Sequence, residues 1–438
     1  MSFKLTVLMA VMFCLASCGD ADPSVSTMSD YRGVDVGSDV GVDVGDEGPL
    51  DVGGEDSSTA EDVSDPGDVL EVACSPDNLM ACAYLIPRPT ASLSETVGPV
   101  EVNYQDVTGE TRSFAFEVRF PDSAGPETPV VIWSHGGSSG KDNPSLVANG
   151  MGDIVVAAGY VFIAVAHYPR SFETYETLCG AIGQSMAQCR GGACQRDSDC
   201  SNFDGGVCSD AQCRYFKPLN WDRPNDVIAL LDRLSDQSMS LQGKADLSKI
   251  VYAGHSAGAG SALMVAGAVR AYGDTVHLIH DSRPIAFISG SPQGPEDDGF
   301  APQSFTGEGC RDLADDPSLC LTRPHFFLTG AGDDTSGHTA EDRRASFSLL
   351  PNGDKFLFWN SEEGARHTTF EHKPDSCENY DGPGSVSPDR CQVYLTWQHS
   401  SIIAFLDATT LDLEAAREYL NSENVETLSK GAVEWELR

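Results

Sequence analysis

The chain has 438 residues and a formal net charge of −38, with 66 Asp and Glu against 28 Lys and Arg. That balance argues against nucleic acid as a partner, while 40% hydrophobic residues over this length suffice for a large core. Fourteen cysteines fit an oxidising compartment rather than a reducing one.

Residues 1–18 have the pattern of an export signal. Lys4 supplies a positive start, and Leu5 to Leu15 is an apolar run too short to serve as a stable membrane anchor. The run ends in Leu15-Ala16-Ser17-Cys18, which has the form of a bacterial lipobox, so Cys18 is the expected lipidation site. Gly19 rather than Asp follows it, which favours the outer membrane or cell surface over retention at the inner membrane. Residues 19–72 repeat Val-Asp-Val-Gly units such as Val34-Asp35-Val36-Gly37 and are acidic, glycine-rich and nearly free of aromatics. Such a stretch buries too little apolar surface to offset its ordering entropy, so a disordered tether is expected. Twelve cysteines remain once Cys14 and Cys18 are set aside. They group as Cys74 with Cys82, Cys179 with Cys189, Cys194 with Cys200, Cys208 and Cys213, Cys310 with Cys320, and Cys377 with Cys391. Six disulfides are expected, with pairing open among the six between 179 and 213. No C-x-x-C pair or nearby histidine supports zinc.

Residues 73–438 form the folded part. Val100 to Phe120 alternates like a β-hairpin. Near-continuous apolar strands are predicted at Pro129–Ser134, Tyr160–Ala166, Lys249–Ala253, Pro284–Ser289, His325–Gly330 and Lys355–Trp359. Between and after them lie predicted helices beginning at Arg223, at Ala259 (to Val269), at Cys391 (to Leu406) and at Leu413 (to Leu420). Apolar strands alternating with helices predict an α/β fold, a mostly parallel sheet covered on both faces. Residues 167–221 interrupt the alternation with a Cys-, Gly- and Asp-rich insertion, either a lid or a surface ornament, held by disulfides.

The chemistry centres on Gly254-His255-Ser256-Ala257-Gly258, a G-x-S-x-G stretch between a predicted strand and a predicted helix. A serine on so sharp a turn needs small neighbours, because its backbone leaves no room for Cβ atoms on either side. Ser256 is the expected nucleophile. An acyl-transfer serine requires a base, a group that orients the base, and donors for the oxyanion. In the chain order Ser, Asp, His, the best base is His367, just after the strand Lys355–Trp359. His372, His338 and His399 are weaker choices, and His255 is expected to point away from the nucleophile. The acid is expected after the strand ending at Gly330, where Asp333 and Asp334 stand side by side, Asp333 first. The oxyanion donors are expected to be the amides of Ala257, at a helix start, and of Gly137, in the His135-Gly136-Gly137 loop.

Trp133-Ser134-His135-Gly136-Gly137-Ser138-Ser139-Gly140, Arg223-Pro224-Asn225-Asp226, Gly254-His255-Ser256-Ala257-Gly258-Ala259 and Gly330-Ala331-Gly332-Asp333-Asp334 together resemble bacterial α/β-hydrolases. The similarity is to proteins related to platelet-activating-factor acetylhydrolase, dienelactone hydrolases and cutinase-like polyester esterases, over about residues 100–420. The resemblance implies an α/β-hydrolase fold and a serine esterase, with Asp334 as the acid if the loop runs one residue longer, as in some cutinase-like enzymes. The chain departs from the first branch in lacking an early Asp after Gly290, and from the second in using Ser256 where that branch has a cysteine. A plain carboxylesterase is therefore expected. Its substrate would be a small or lipid-like ester, its only membrane contact the lipid anchor, and no metal or organic cofactor is implied. A surface lipoprotein that merely binds, or a peptidase or thioesterase on the same scaffold, are the rival expectations.

Overall fold

A computed structural model describes residues 74–438 except 85, 87–88, 138–142, 149, 185–192, 201–206, 210, 215–219, 237–240, 242, 336–337 and 373–385. Cys18, the tether, Cys189 and Cys377 lie outside the described residues.

Nine strands form one sheet: β1 Leu93–Gln105, β2 Thr111–Pro121, β3 Val130–Ser134, β4 Val161–Ala166, β5 Ile250–His255, β6 Pro284–Gly290, β7 His325–Gly330, β8 Lys355–Asn360 and β9 Val433–Leu437. Their spatial order is β1-β2-β4-β3-β5-β6-β7-β8-β9. The six strands from β4 to β8 are mutually parallel, whereas β1, β2 and β9 join by antiparallel ladders. The chain is thus α/β, as its alternating pattern predicts.

The central strands are buried on both faces, so they carry apolar residues without a polar partner at the alternate positions. Ile132, Tyr252, Phe287, Phe327 and Leu357 point into one layer, where Leu230, Leu263 and Phe347 meet them from helices Asp222–Ser235, Ala257–Ala266 and Ala340–Leu349. Their chain neighbours Trp133, Val251, Ile288, Phe326 and Phe358 point into the other layer, against Val155, Ile402 and Phe405 of helices Met151–Ala157 and Pro388–Thr410. This is the two-residue period of a strand read out in three dimensions.

Helix boundaries follow local chemistry. Pro388 opens the last long helix at its first position, and the Ser387 hydroxyl accepts from the Arg390 amide. The helix after β5 begins two residues earlier than the sequence pattern predicts and ends at Ala266, because Gly267 adopts φ 112° and closes it in a left-handed cap.

The insertion leaves the end of β4 and returns at Asp222. Its first helix, Phe172–Ala181, is capped by Ser171, and Leu178 and Ile182 are buried in the first core layer. A hairpin pairs Val207–Ser209 with Gln212–Arg214. Disulfides join Cys74 to Cys82, Cys194 to Cys208 and Cys310 to Cys320. Cys179, Cys213 and Cys391 are disulfide-bonded as well. Among the described residues no helix is long and apolar enough to cross a membrane.

Candidate active site

Strand order reverses beside β3 and β5, since the chain moves from β3 outward to β4 and then returns to the other side of β3. Crevices outside the carboxyl ends of strands at such a reversal are where α/β sheets bind ligands. The loop after β3 carries His135, Gly136 and Gly137, and Ser256 follows β5.

Ser256 sits at φ 53°, ψ −117°, between β5 and helix Ala257–Ala266. A non-glycine residue in that region carries strain of about 1–3 kcal/mol. Its amide donates to Gly290 O at 2.8 Å, and its carbonyl accepts from Gly260 N at 3.0 Å, so both flanks of the turn are fixed. The two motif glycines are sterically required. A Cβ on Gly254 would lie 2.4 Å from the Gly258 backbone, and one on Gly258 would lie 2.1 Å from Ser134 O. The Ala257 amide is among the first helical N–H groups, which have no partner inside the helix.

Asp333, in the loop after β7, is fully buried. Its Oδ1 accepts from His367 Nδ1 at 2.8 Å, and its Oδ2 accepts from the Thr329 hydroxyl at 2.8 Å. Arg343 Nε lies 3.2 Å from Oδ1. Burial alone would raise this carboxyl, but the His367 hydrogen bond and the Arg343 charge outweigh it and hold Asp333 below the usual range. The carboxylate therefore stays ionised and fixes the His367 proton on Nδ1, which leaves Nε2 free to accept one. Asp334 serves a different partner: its Oδ1 accepts from the Ala340 amide at 2.7 Å, at the start of helix Ala340–Leu349.

His367 is brought beside His255, the chain neighbour of Ser256, by its backbone. The His255 Nε2–H donates to His367 O at 2.9 Å, and the two rings are 4.7 Å apart. The Ser291 hydroxyl reaches the same carbonyl at 3.4 Å. Burial lowers His255 to about 4, with the His367 ring adding to the effect, so its imidazole is neutral at ordinary pH. Ser256 makes no hydrogen bond to His367 here. In sites without substrate such bonds are often long and tighten on binding.

The other histidines are placed elsewhere. His338 faces Asp297 at 3.0 Å. His372 is buried with its ring 5.3 Å from that of His399. Burial, with His399 and His255 adding to it, lowers His372 well below its ordinary value. Among the described residues, no group of three or more His, Cys, Asp or Glu side chains is arranged to hold a metal ion.

Three residues at this site carry no sequence signal for their role. Arg343 binds the carbonyls of Ser291, Pro292 and Asp333 at 2.8–2.9 Å, stitching the loops after β6 and β7 together. In sequence it is half of an Arg343-Arg344 pair on a charged helix, which has the look of a solvated face. His255 is the variable position of the motif, and its contact with His367 arises only when distant loops meet. Arg223 follows the same logic on the β3 side: it is buried, and its guanidinium donates to His135 O at 2.7 Å and Gly136 O at 3.2 Å.

Compared with known families, the chain matches no family model. Compared with curated proteins, it finds no significant match.

Proposed function

We propose that this protein is an exported, lipid-anchored serine hydrolase of the α/β-hydrolase fold that cleaves carboxylic esters. The observation that carries the proposal is the combination of a strained serine on a strand-to-helix turn with a 2.8 Å Asp333–His367 bond from loops on the same strand ends. The chain order of these residues, Ser then Asp then His, supports it. So do the closeness of the β3 loop, where a Cβ on Gly136 would lie 3.6 Å from Ser256 Cβ, and the start of the next helix at Ala257. The disulfides support export.

In this mechanism Ser256 Oγ attacks the ester carbonyl while His367 Nε2 takes its proton. Asp333 holds the imidazole in the required tautomer and stabilises the imidazolium. The Gly137 and Ala257 amides receive the oxyanion; losing one such donor typically costs about 3 kcal/mol. His367 returns the proton to the departing alcohol. Water then adds to the acyl-serine with His367 as base, which releases the acid and restores Ser256. The path needs no cofactor.

The test is a fluorophosphonate probe on the disulfide-intact protein, with the adduct mapped by mass spectrometry, alongside p-nitrophenyl acetate, butyrate and palmitate. An adduct on Ser256, ester turnover, and loss of both in a folded Ser256→Ala variant are expected. Peptide anilides and thioesters in the same panel separate the peptidase and thioesterase alternatives. A folded wild-type protein with neither adduct nor turnover would leave a binding protein as the better reading.

A further inference from the structure

The carbonyl of Gly136 and the amide of Gly137 belong to one peptide unit. That unit is trans, since the one cis bond among the described residues is Gly98-Pro99. In a trans peptide the C=O and N–H are coplanar and point in opposite directions. Whatever holds Gly136 O therefore aims the Gly137 N–H. Two groups hold it: Arg223 Nη2 at 3.2 Å and His135 Nδ1 at 2.6 Å. The neighbouring His135 carbonyl, in the unit that carries the Gly136 amide, accepts from Arg223 Nη1 at 2.7 Å. One rigid guanidinium fork thus fixes two successive peptide planes. His135 Nε2 accepts from the His167 amide at 3.4 Å, which leaves Nδ1 as its protonated nitrogen.

Resting on the hydrolase reading, we propose that Arg223 is the positioning residue of the oxyanion loop, aiming the Gly137 amide at the substrate oxygen. Its location supports a role beyond stability. It lies in the first turn of helix Asp222–Ser235, where the helix dipole disfavours a cation. It is almost fully buried, and that burial lowers it to about 10 despite the nearby carboxylates.

The same residues tie the loop to the root of the insertion. Arg170, at the outgoing end, clamps Asp222, the residue before Arg223, through Nε at 3.0 Å and Nη2 at 2.7 Å. His167 Nδ1 lies 2.9 Å from Asp226 Oδ2, and its Nε2 lies 2.9 Å from the Ser134 hydroxyl at the end of β3. Both ends of the insertion therefore close onto the elements that set the oxyanion loop.

The experiment uses the full chain with Arg223→Lys, which keeps the charge without the fork, and Arg223→Gln, which keeps a donor without the charge. Both are assayed for p-nitrophenyl butyrate turnover, inhibition by an alkyl boronic acid, and thermal unfolding. Removing an oxyanion donor outright costs about 10²–10³ in kcat, so a misaimed one is expected to cost about 10–100-fold. KM should stay within about threefold, and boronate affinity should fall in step with kcat/KM. A folded variant with kcat within about threefold of wild type overturns the proposal. So does loss of the folded state in both variants, which would make Arg223 a part of the core. A wild-type protein that neither labels at Ser256 nor turns over ester overturns the hydrolase reading itself, and the Arg223 proposal with it.

Discussion

Asp333 and Asp334 are neighbours in sequence with separate partners, one on His367 and one on a helix amide. Their substitutions should therefore separate. Asp333→Asn is expected to lower kcat by about 10⁴, because an amide favours the wrong imidazole tautomer. Asp334→Ala is expected to lose about 1 kcal/mol of capping while keeping nearly full turnover. Comparable losses of kcat from both would show that the division of labour is wrong. The sequence narrows the acid to these two positions, because a turn after an apolar strand is visible in composition. It favours Asp333 only through the Gly330-x-x-Asp spacing, since a shift of one residue along a loop changes nothing that periodicity records. Arg223, Arg343 and His255 are less legible still. Each acts on the backbone carbonyls of a distant loop, and carbonyls are common to every residue.

At the level of elements, the turn between β5 and its helix depends on how closely β3 approaches. Gly258 lies against Ser134 O, so Gly258→Ala must push β3 and β5 apart. A destabilisation of about 1–3 kcal/mol or more is expected, and under the proposed hydrolase reading turnover is lost as the His135–Gly137 loop moves with β3. At Gly180, near the end of helix Phe172–Ala181, an added methyl would meet nothing within 4 Å. Gly180→Ala should therefore be neutral or stabilise by about 0.5–1 kcal/mol. Urea unfolding of the two variants checks the contrast, and equal effects would refute the packing argument. The parallel strands are legible in the sequence because burial on both faces gives unbroken apolar runs. Strand β9 is not: it is the short edge sequence Val-Glu-Trp-Glu-Leu, and its place comes from pairing with β8. Helix Ala340–Leu349 is hidden for a related reason, its charged composition covering a buried Arg343.

At the scale of the molecule, five histidines among the described residues are buried in a form that resists protonation. Burial lowers His255 and His399 to about 4, and it lowers His167, His325 and His372 well below their ordinary value. In the unfolded chain each returns to about 6.5. Below that value the unfolded state binds protons that the folded state refuses, so stability falls as pH drops from about 6.5 toward 4. Urea midpoints are expected to be level between about pH 7 and 8 and to decline steeply by about pH 5. A flat profile across that window would mean that these imidazoles are charged or solvated in the fold. The strongly acidic composition does not anticipate this, because the effect belongs to where ten histidines fall relative to the core rather than to their number.

The backbone of Ser256 has a consequence on an evolutionary scale. At φ 53°, ψ −117° the position suits glycine better than any residue with a side chain. Under the proposed hydrolase reading, stability and turnover therefore pull this codon in opposite directions. As long as selection acts on the chemistry, serine is retained against its own strain. In a lineage released from that selection, drift to glycine would be rewarded by a firmer fold, and this position should be among the first to record the loss.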